Sequence, residues 1–113
     1  MTILKITNIP GLDQIKQLTE EFPHYIKLTA DIDKQILYGG ARLHADMEQI
    51  LLNEGSFQIN IWGGGVDLEN KKIDCSAIAN IRPGVNSNPE ILNPKIRKSF
   101  VKIVKRYFPY FNE

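Results

Sequence analysis

Residues 24–32 alternate between apolar and polar, with Ile26, Leu28, Ala30 and Ile32 on one side of the chain and Tyr25, Lys27, Thr29 and Asp31 on the other. Successive side chains of an extended strand point to opposite faces, so this period of two describes a strand with one apolar face. Such a strand cannot stand alone; it needs paired neighbours and a layer that covers its apolar side. The flanking sequence supplies the first of these directly. Asp33 and Lys34 make a tight turn into residues 35–38, a returning strand that Gly39 and Gly40 end.

The covering layer comes from segments with helical spacing. Residues 3–6 read as a short strand, and after Pro10 and Gly11 the apolar residues Leu12, Ile15, Leu18 and Phe22 recur at helical intervals up to Pro23. Asp46 and Gln49 have capping-box spacing, and Leu43, Met47, Ile50 and Leu51 then form a stripe that closes near Glu54 and Gly55. Residues 57–62 alternate as a strand, interrupted by Gly63, Gly64 and Gly65. Residues 66–68 and a long return strand over 72–82 are read as a second hairpin, with Ile73, Cys75, Ala77, Ala79 and Ile81 on its apolar face. Asn93 and Pro94 start a last helix whose core stripe is Ile96, Phe100, Ile103, Val104 and Tyr107. The predicted order is βαββαββα. It describes an α+β fold: an antiparallel sheet of about four to five strands with three helices packed mainly on one face.

At 113 residues the chain has room for a single domain over 1–113, and 42% apolar with 24% charged residues places it among folded globular chains. The longest uncharged stretch, residues 55–66, is glycine-rich and too short to span a membrane. Lys5, Pro10 and Asp13 interrupt the first fifteen residues, so no export signal is read there. A lone cysteine, Cys75, closes no internal disulfide and forms no Cys-rich metal framework, which fits a reducing cytoplasm. No cofactor is implied.

The net charge of +1 argues against a general polyanion binder. Positive charge is concentrated at the end, where residues 94–113 carry six Lys and Arg against one Glu. Lys95, Lys98, Lys102 and Lys105 run along one side of the last helix and could track phosphates. No base-reading motif accompanies them, and a charged outer face is the ordinary solvated state of an amphipathic helix, so nucleic-acid binding ranks last. The aromatic C-terminal tail, residues 107–113, contains Tyr107, Phe108, Tyr110 and Phe111, and Pro109 must end the helix. Its rings either fold back onto the domain or dock on another copy to make a homo-oligomer.

Two groups of residues could carry chemistry. If the segment around residues 44–46 is extended, His44 and Asp46 point to one side and could share a divalent metal, with Glu48 as third ligand. The structural alternative is that Asp46 caps the helix, Glu48 complements its dipole and His44 is a packed or surface imidazole. The second group has Gln58, Asn60 and Trp62 on one strand face and Asn80 and Arg82 on one face of another. Were these strands neighbours, they would form a polar floor on which Trp62 and Arg82 clamp a planar or anionic ligand. Otherwise Trp62 packs, and Asn80 and Arg82 satisfy loop carbonyls. Cys75 reads as a core residue, and a Ser or Cys nucleophile would need His24 or His44 within reach. The glycine triplet lacks the Gly-Lys-Ser/Thr ending of a phosphate loop.

Gly39-Gly40, Leu43-His44-Ala45-Asp46, Glu48, Leu51-Leu52, Gly55-Ser56, Gln58, Trp62-Gly63, Asn80-Ile81-Arg82-Pro83 and Ile96-Arg97 together resemble the pattern of a small prokaryotic family, domain of unknown function 5674. The Gly-Ser-x-Gln-x-x-x-Trp-Gly stretch is its most specific part. The resemblance implies a fold-sized domain and a set of polar positions, without a reaction.

Two readings follow. The first is a small cytoplasmic binding or interaction module whose small ligand or protein partner touches the neighbourhood of His44, Trp62, Asn80 and Arg82. The alternative is a metal-assisted or acid/base hydrolase using His44, Asp46 and Glu48, with Arg82 stabilising negative charge.

Overall fold

The structure, a computed structural model, describes residues 1–113. The elements are β1 (Leu4–Ile6), α1 (Leu12–Leu18), β2 (Tyr25–Asp31), β3 (Ile36–Gly39), α2 (His44–Asn53), β4 (Ile61–Asp67), β5 (Lys72–Asp74) and α3 (Pro94–Tyr107), with 3-10 turns at Gln58–Asn60 and Ile78–Asn80. The βαββαββα order holds. All five strands join one sheet in the order β1-β3-β2-β4-β5, and every pairing is antiparallel.

The alternating run of residues 24–32 becomes β2, the middle strand. On one face Ile26, Leu28 and Ala30 join Leu37, Trp62 and Val66 beneath Phe100, Ile103 and Val104 of α3, with Leu18 of α1 at the edge of the same cluster. The other face is not open to water. Tyr38 and Ile61 pack there against Met47 and Leu51 of α2, and Thr29 and Asp31 are buried as well. Only α1 and α3 therefore share the predicted face, and α2 makes a third layer on the opposite side. Two contacts pin α2 there. His44 at its start bonds the Gly64 carbonyl, and at its end the Tyr38 hydroxyl donates to Glu54, 2.8 Å from Oε1. Burial and the Glu54 carboxylate together push the Tyr38 phenol up to about 12.

Both hairpins are built on the same turn chemistry. Asp31 Oδ1 accepts from the backbone N–H groups of Asp33 and Lys34, and Asp67 Oδ1 accepts from those of Glu69 and Asn70. Each turn then passes through a non-glycine residue in the left-handed region, Gln35 at φ 59° and Lys71 at φ 57°. In the first hairpin the Ser56 hydroxyl also donates to Asp31 Oδ2 at 2.6 Å, tying the turn to the end of α2.

The glycine triplet, expected to interrupt a strand, is the middle of one. Gly63, Gly64 and Gly65 pair with Thr29, Leu28 and Lys27 of β2, while the predicted strand residues Gln58–Asn60 form a 3-10 turn. Bare backbone is needed because neighbours press in from both sides. A Cβ on Gly63 would stand 2.9 Å from both the His44 ring and Ala77, and one on Gly64 would stand 2.8 Å from the Phe100 ring and collide with the Asp74 carbonyl.

The predicted return strand over 72–82 also stops early. β5 ends at Asp74 after three residues, and Ile78–Asn80 is a 3-10 turn, so the strand face assigned to Asn80 and Arg82 does not exist. The helix bounds differ too: α1 ends at Leu18 instead of reaching Phe22, with Leu12 exposed, and α2 begins at His44. Leu43 is the N-cap of α2 and makes no side-chain cap bond, so Asp46 sits in the exposed first turn instead of capping. By contrast Asn93 caps α3 as predicted, accepting from the N–H groups of Lys95 and Ile96.

The tail folds back. Phe108 and Phe111 enter the main core in an edge-to-face pair with centroids 5.6 Å apart, while Tyr110 stays exposed. The Asn112 carbonyl accepts from the Ile73 N–H, and its own N–H donates to the Lys71 carbonyl, so the tail covers the β5 edge. No helix is long and apolar enough to cross a membrane.

Candidate functional site

Over Gly65–Asp67 the outer edge of β4 is paired with β5, but β5 departs before reaching Ile61 and Gly63. A strand edge left with free N–H and C=O groups inside a protein must find other partners. Side chains take that place. Asn80, fully buried, accepts from the Gly63 N–H through Oδ1 and donates to the Gly63 carbonyl through Nδ2, both at 2.8 Å. Arg82 donates through Nη2 to the Ile61 carbonyl. Asn86, also buried, holds the loop that carries both: the two N–H groups of its Nδ2 are shared among the carbonyls of Asn80, Asn88 and Glu90, and its Oδ1 accepts from the Leu92 N–H.

Trp62 is 2% exposed and belongs to the core, with its indole N–H donating to the Ile59 carbonyl. The Arg82 guanidinium lies over its ring, 4.2 Å from the centroid. Arg82 Nε and Nη1 are shut off from solvent with no hydrogen-bond partner, and Arg82 makes no ion pair. Burial lowers its pKa, partly opposed by the charge of Glu48.

His44 approaches from above the sheet. Its Nε2 lies 2.7 Å from the Gly64 carbonyl oxygen. A carbonyl can only accept, so Nε2 carries the proton and Nδ1 keeps its lone pair. Burial lowers the His44 pKa, assisted by the positive charge of Lys27 and opposed by the Gly64 bond and Asp74, which favours this neutral form.

Two cavities flank the 3-10 turn Ile78–Asn80. One, of about 430 Å³, is lined by Gln58, Ile59, Ile81, Arg82, Pro83 and Val85. The other, of about 440 Å³, is lined by Lys27, Leu43, His44, Ala45, Glu48, Ile78 and Ala79. Their rims are apolar and wet: Ile59 is 71% and Ile78 80% exposed, with Leu43, Ile81 and Val85 also exposed.

Of the residues singled out from sequence, His44, Glu48, Gln58 and Arg82 line these cavities, and Trp62 and Asn80 support them from beneath. Asp46 does not join. Two residues along a helix point to nearly opposite sides, so His44 and Asp46 diverge and the extended geometry behind a shared metal is absent. No three His, Cys, Asp or Glu side chains are grouped to hold a metal ion. The lysine stripe is thinned as well. Lys95, Lys98 and Lys102 are exposed, but the Lys105 ammonium donates to the Phe111 carbonyl and Asn112 Oδ1. Arg97 of the same helix bonds Glu90 and Glu113.

Sequence reasoning missed Lys27, Ile59, Ile78, Val85 and the loop organiser Asn86. Ile78 had a legible signal, since it is a large apolar residue on the polar side of its predicted strand, whereas Ile59 falls on the apolar side of its own with Phe57 and Ile61. Asn86 had none, because an amide that bonds loop carbonyls looks in sequence like any loop asparagine.

Residues 4–107 match the family described as protein of unknown function (DUF5674). No curated protein and no solved structure matches the chain.

Proposed function

The chain belongs to this family of unknown function, and we propose that it is a small binding module whose ligand occupies the groove made by the two cavities beside Ile78–Asn80. One observation carries the reading: polar side chains from α2, the first 3-10 turn and the loop after the second converge on two cavities of about 430 and 440 Å³ with exposed apolar rims. Concave, mainly apolar sites with a few convergent polar groups are the usual form of small-molecule pockets, and each cavity has the size of one. The floor is rigid, because Asn80, Arg82 and His44 are all bonded to the β4 backbone.

Acid/base hydrolysis is the weaker reading. His44 Nδ1 is a free base, but no activated nucleophile stands beside it. The Ser56 hydroxyl is committed to Asp31, and the Cys75 thiol is buried and pushed up to about 12 by that burial. A cytoplasmic setting belongs to the same proposal, supported by the free, buried Cys75.

Amide NMR of the labelled full chain tests the binding reading against a panel of small aliphatic and aromatic compounds. Shifts are expected at residues 43–48, 58–59 and 78–85. Perturbation confined to other surfaces, or concentration-dependent broadening that marks self-association through the same groove, would overturn a small-ligand site.

A further inference from the structure

We infer that the ligand of this groove is a singly charged carboxylate with an apolar body, its anionic group held by Arg82. The inference rests on the binding-module reading and adds the ligand's chemistry to it.

Arg82 is the one charged group of the site with enclosed donors that lack an acceptor. Its guanidinium lies over the Trp62 ring, Nη2 is given to a neutral carbonyl, and Nε and Nη1 have no acceptor at all. Arginine cannot relieve this by releasing its proton. Donors of a cation enclosed without an acceptor carry a desolvation cost that an anionic partner would offset. No carboxylate of the protein reaches ion-pair distance; Glu48 acts on Arg82 only through space. An anion entering the adjoining cavity would supply what the chain does not, with the guanidinium turning on the indole face to meet it.

The walls set the rest of the ligand. Ile59, Ile81, Pro83 and Val85 are apolar, Gln58 offers one neutral amide, and Arg82 is the only charge among the lining residues. One cation balances one negative charge, so a carboxylate fits better than a dianionic phosphate, which would need further donors or a second cation. The neighbouring cavity selects no sign, because Lys27 and Glu48 both line it.

Calorimetry and amide NMR on the full chain test this with phenylacetate, 3-methylbutanoate, phenylacetamide and inorganic phosphate. The two carboxylates should bind at least about tenfold more tightly than the amide, a difference of about 1.4 kcal/mol, and should shift the Trp62 indole N–H and the amides of 58–59 and 81–85. Arg82→Gln should abolish the preference for carboxylate over amide, and Arg82→Lys, which keeps the charge, should retain part of it. Glu48→Gln, which removes a nearby negative charge, should tighten carboxylate binding about two- to threefold. Equal binding of phenylacetate and phenylacetamide in the groove would overturn the anionic ligand while leaving the binding module standing. Tighter binding of phosphate than of either carboxylate would overturn the assigned class. Failure of every apolar probe to perturb the groove would overturn the binding module itself.

Discussion

Asn80 clasps Gly63 by both of its backbone groups, standing in with one side-chain amide for the strand that β5 fails to provide. The same amide reaches the Pro89 carbonyl at 2.9 Å and so fastens the loop after the second 3-10 turn to the sheet. Asn80→Ala would leave the Gly63 N–H and carbonyl buried without partners, at about 1–3 kcal/mol for each unsatisfied group. We expect a loss of about 3 kcal/mol in urea unfolding and faster amide exchange at Gly63. Unchanged exchange at Gly63 would mean that the clasp contributes nothing to that edge.

Gly64 is less replaceable than Gly63 beside it. Its missing Cβ is the space taken by the Asp74 carbonyl on one side and the Phe100 ring on the other. A backbone carbonyl cannot rotate away as a side-chain end can, so Gly64→Ala must separate β4 from β5 or lift α3. It should lower stability by more than about 3 kcal/mol, a larger loss than Gly63→Ala, whose Cβ would meet only the His44 ring and the Ala77 methyl. Thermal melts of the two variants side by side check the order.

His44 couples stability to pH. Its folded pKa lies below 6.5, first because of burial and then because of Lys27. Below that ordinary value the unfolded chain binds a proton that the folded chain resists. The contribution of neutral His44 is therefore complete above pH 6.5 and is lost as pH falls through its lower folded value. Between about pH 7 and pH 5, His44→Gln should show a flatter dependence of unfolding free energy on pH than the parent. Equal slopes would show that His44 titrates in the folded protein as it does in the unfolded one.

Thr29 is a buried hydroxyl with no hydrogen-bond partner, on β2 opposite Tyr38 and Gly63. Valine has the same shape without the polar atom and suits a strand equally well. Thr29→Val should raise stability by about 1 kcal/mol, read as a higher urea midpoint with an unchanged slope. A lower midpoint would mean that the hydroxyl is bonded in solution.

Sequence and structure agree where a periodic signal runs over many residues. The period-two run around Ile26, Leu28 and Ala30 became β2, and the stripe of Phe100, Ile103 and Val104 behind Asn93 and Pro94 became α3. They disagree where side chains give no periodic signal or a false one. Glycines carry no hydrophobic pattern, so the middle of β4 read as a break. The alternation through Cys75, Ala77 and Ala79 read as a strand, although the backbone turns away after Asp74. The site residues fared likewise: His44 and Glu48 line one cavity and Gln58 and Arg82 another, with Trp62 under Arg82 and Asn80 bonded to Gly63, not on two adjacent strand faces, and Asp46 is left outside.

Local spacing was therefore enough to determine the order of elements, the antiparallel α+β class and the cap of α3, because each depends on residues a few positions apart. Only the tertiary structure decided that α2 covers the second face of the sheet, that Gly63 and Gly64 admit His44, Phe100 and the Asp74 carbonyl, and that Arg82 rests on Trp62 with two donors unmet. These depend on which groups a closing core leaves without partners, a balance of burial and hydrogen bonding between segments distant along the chain, which no short window of sequence contains.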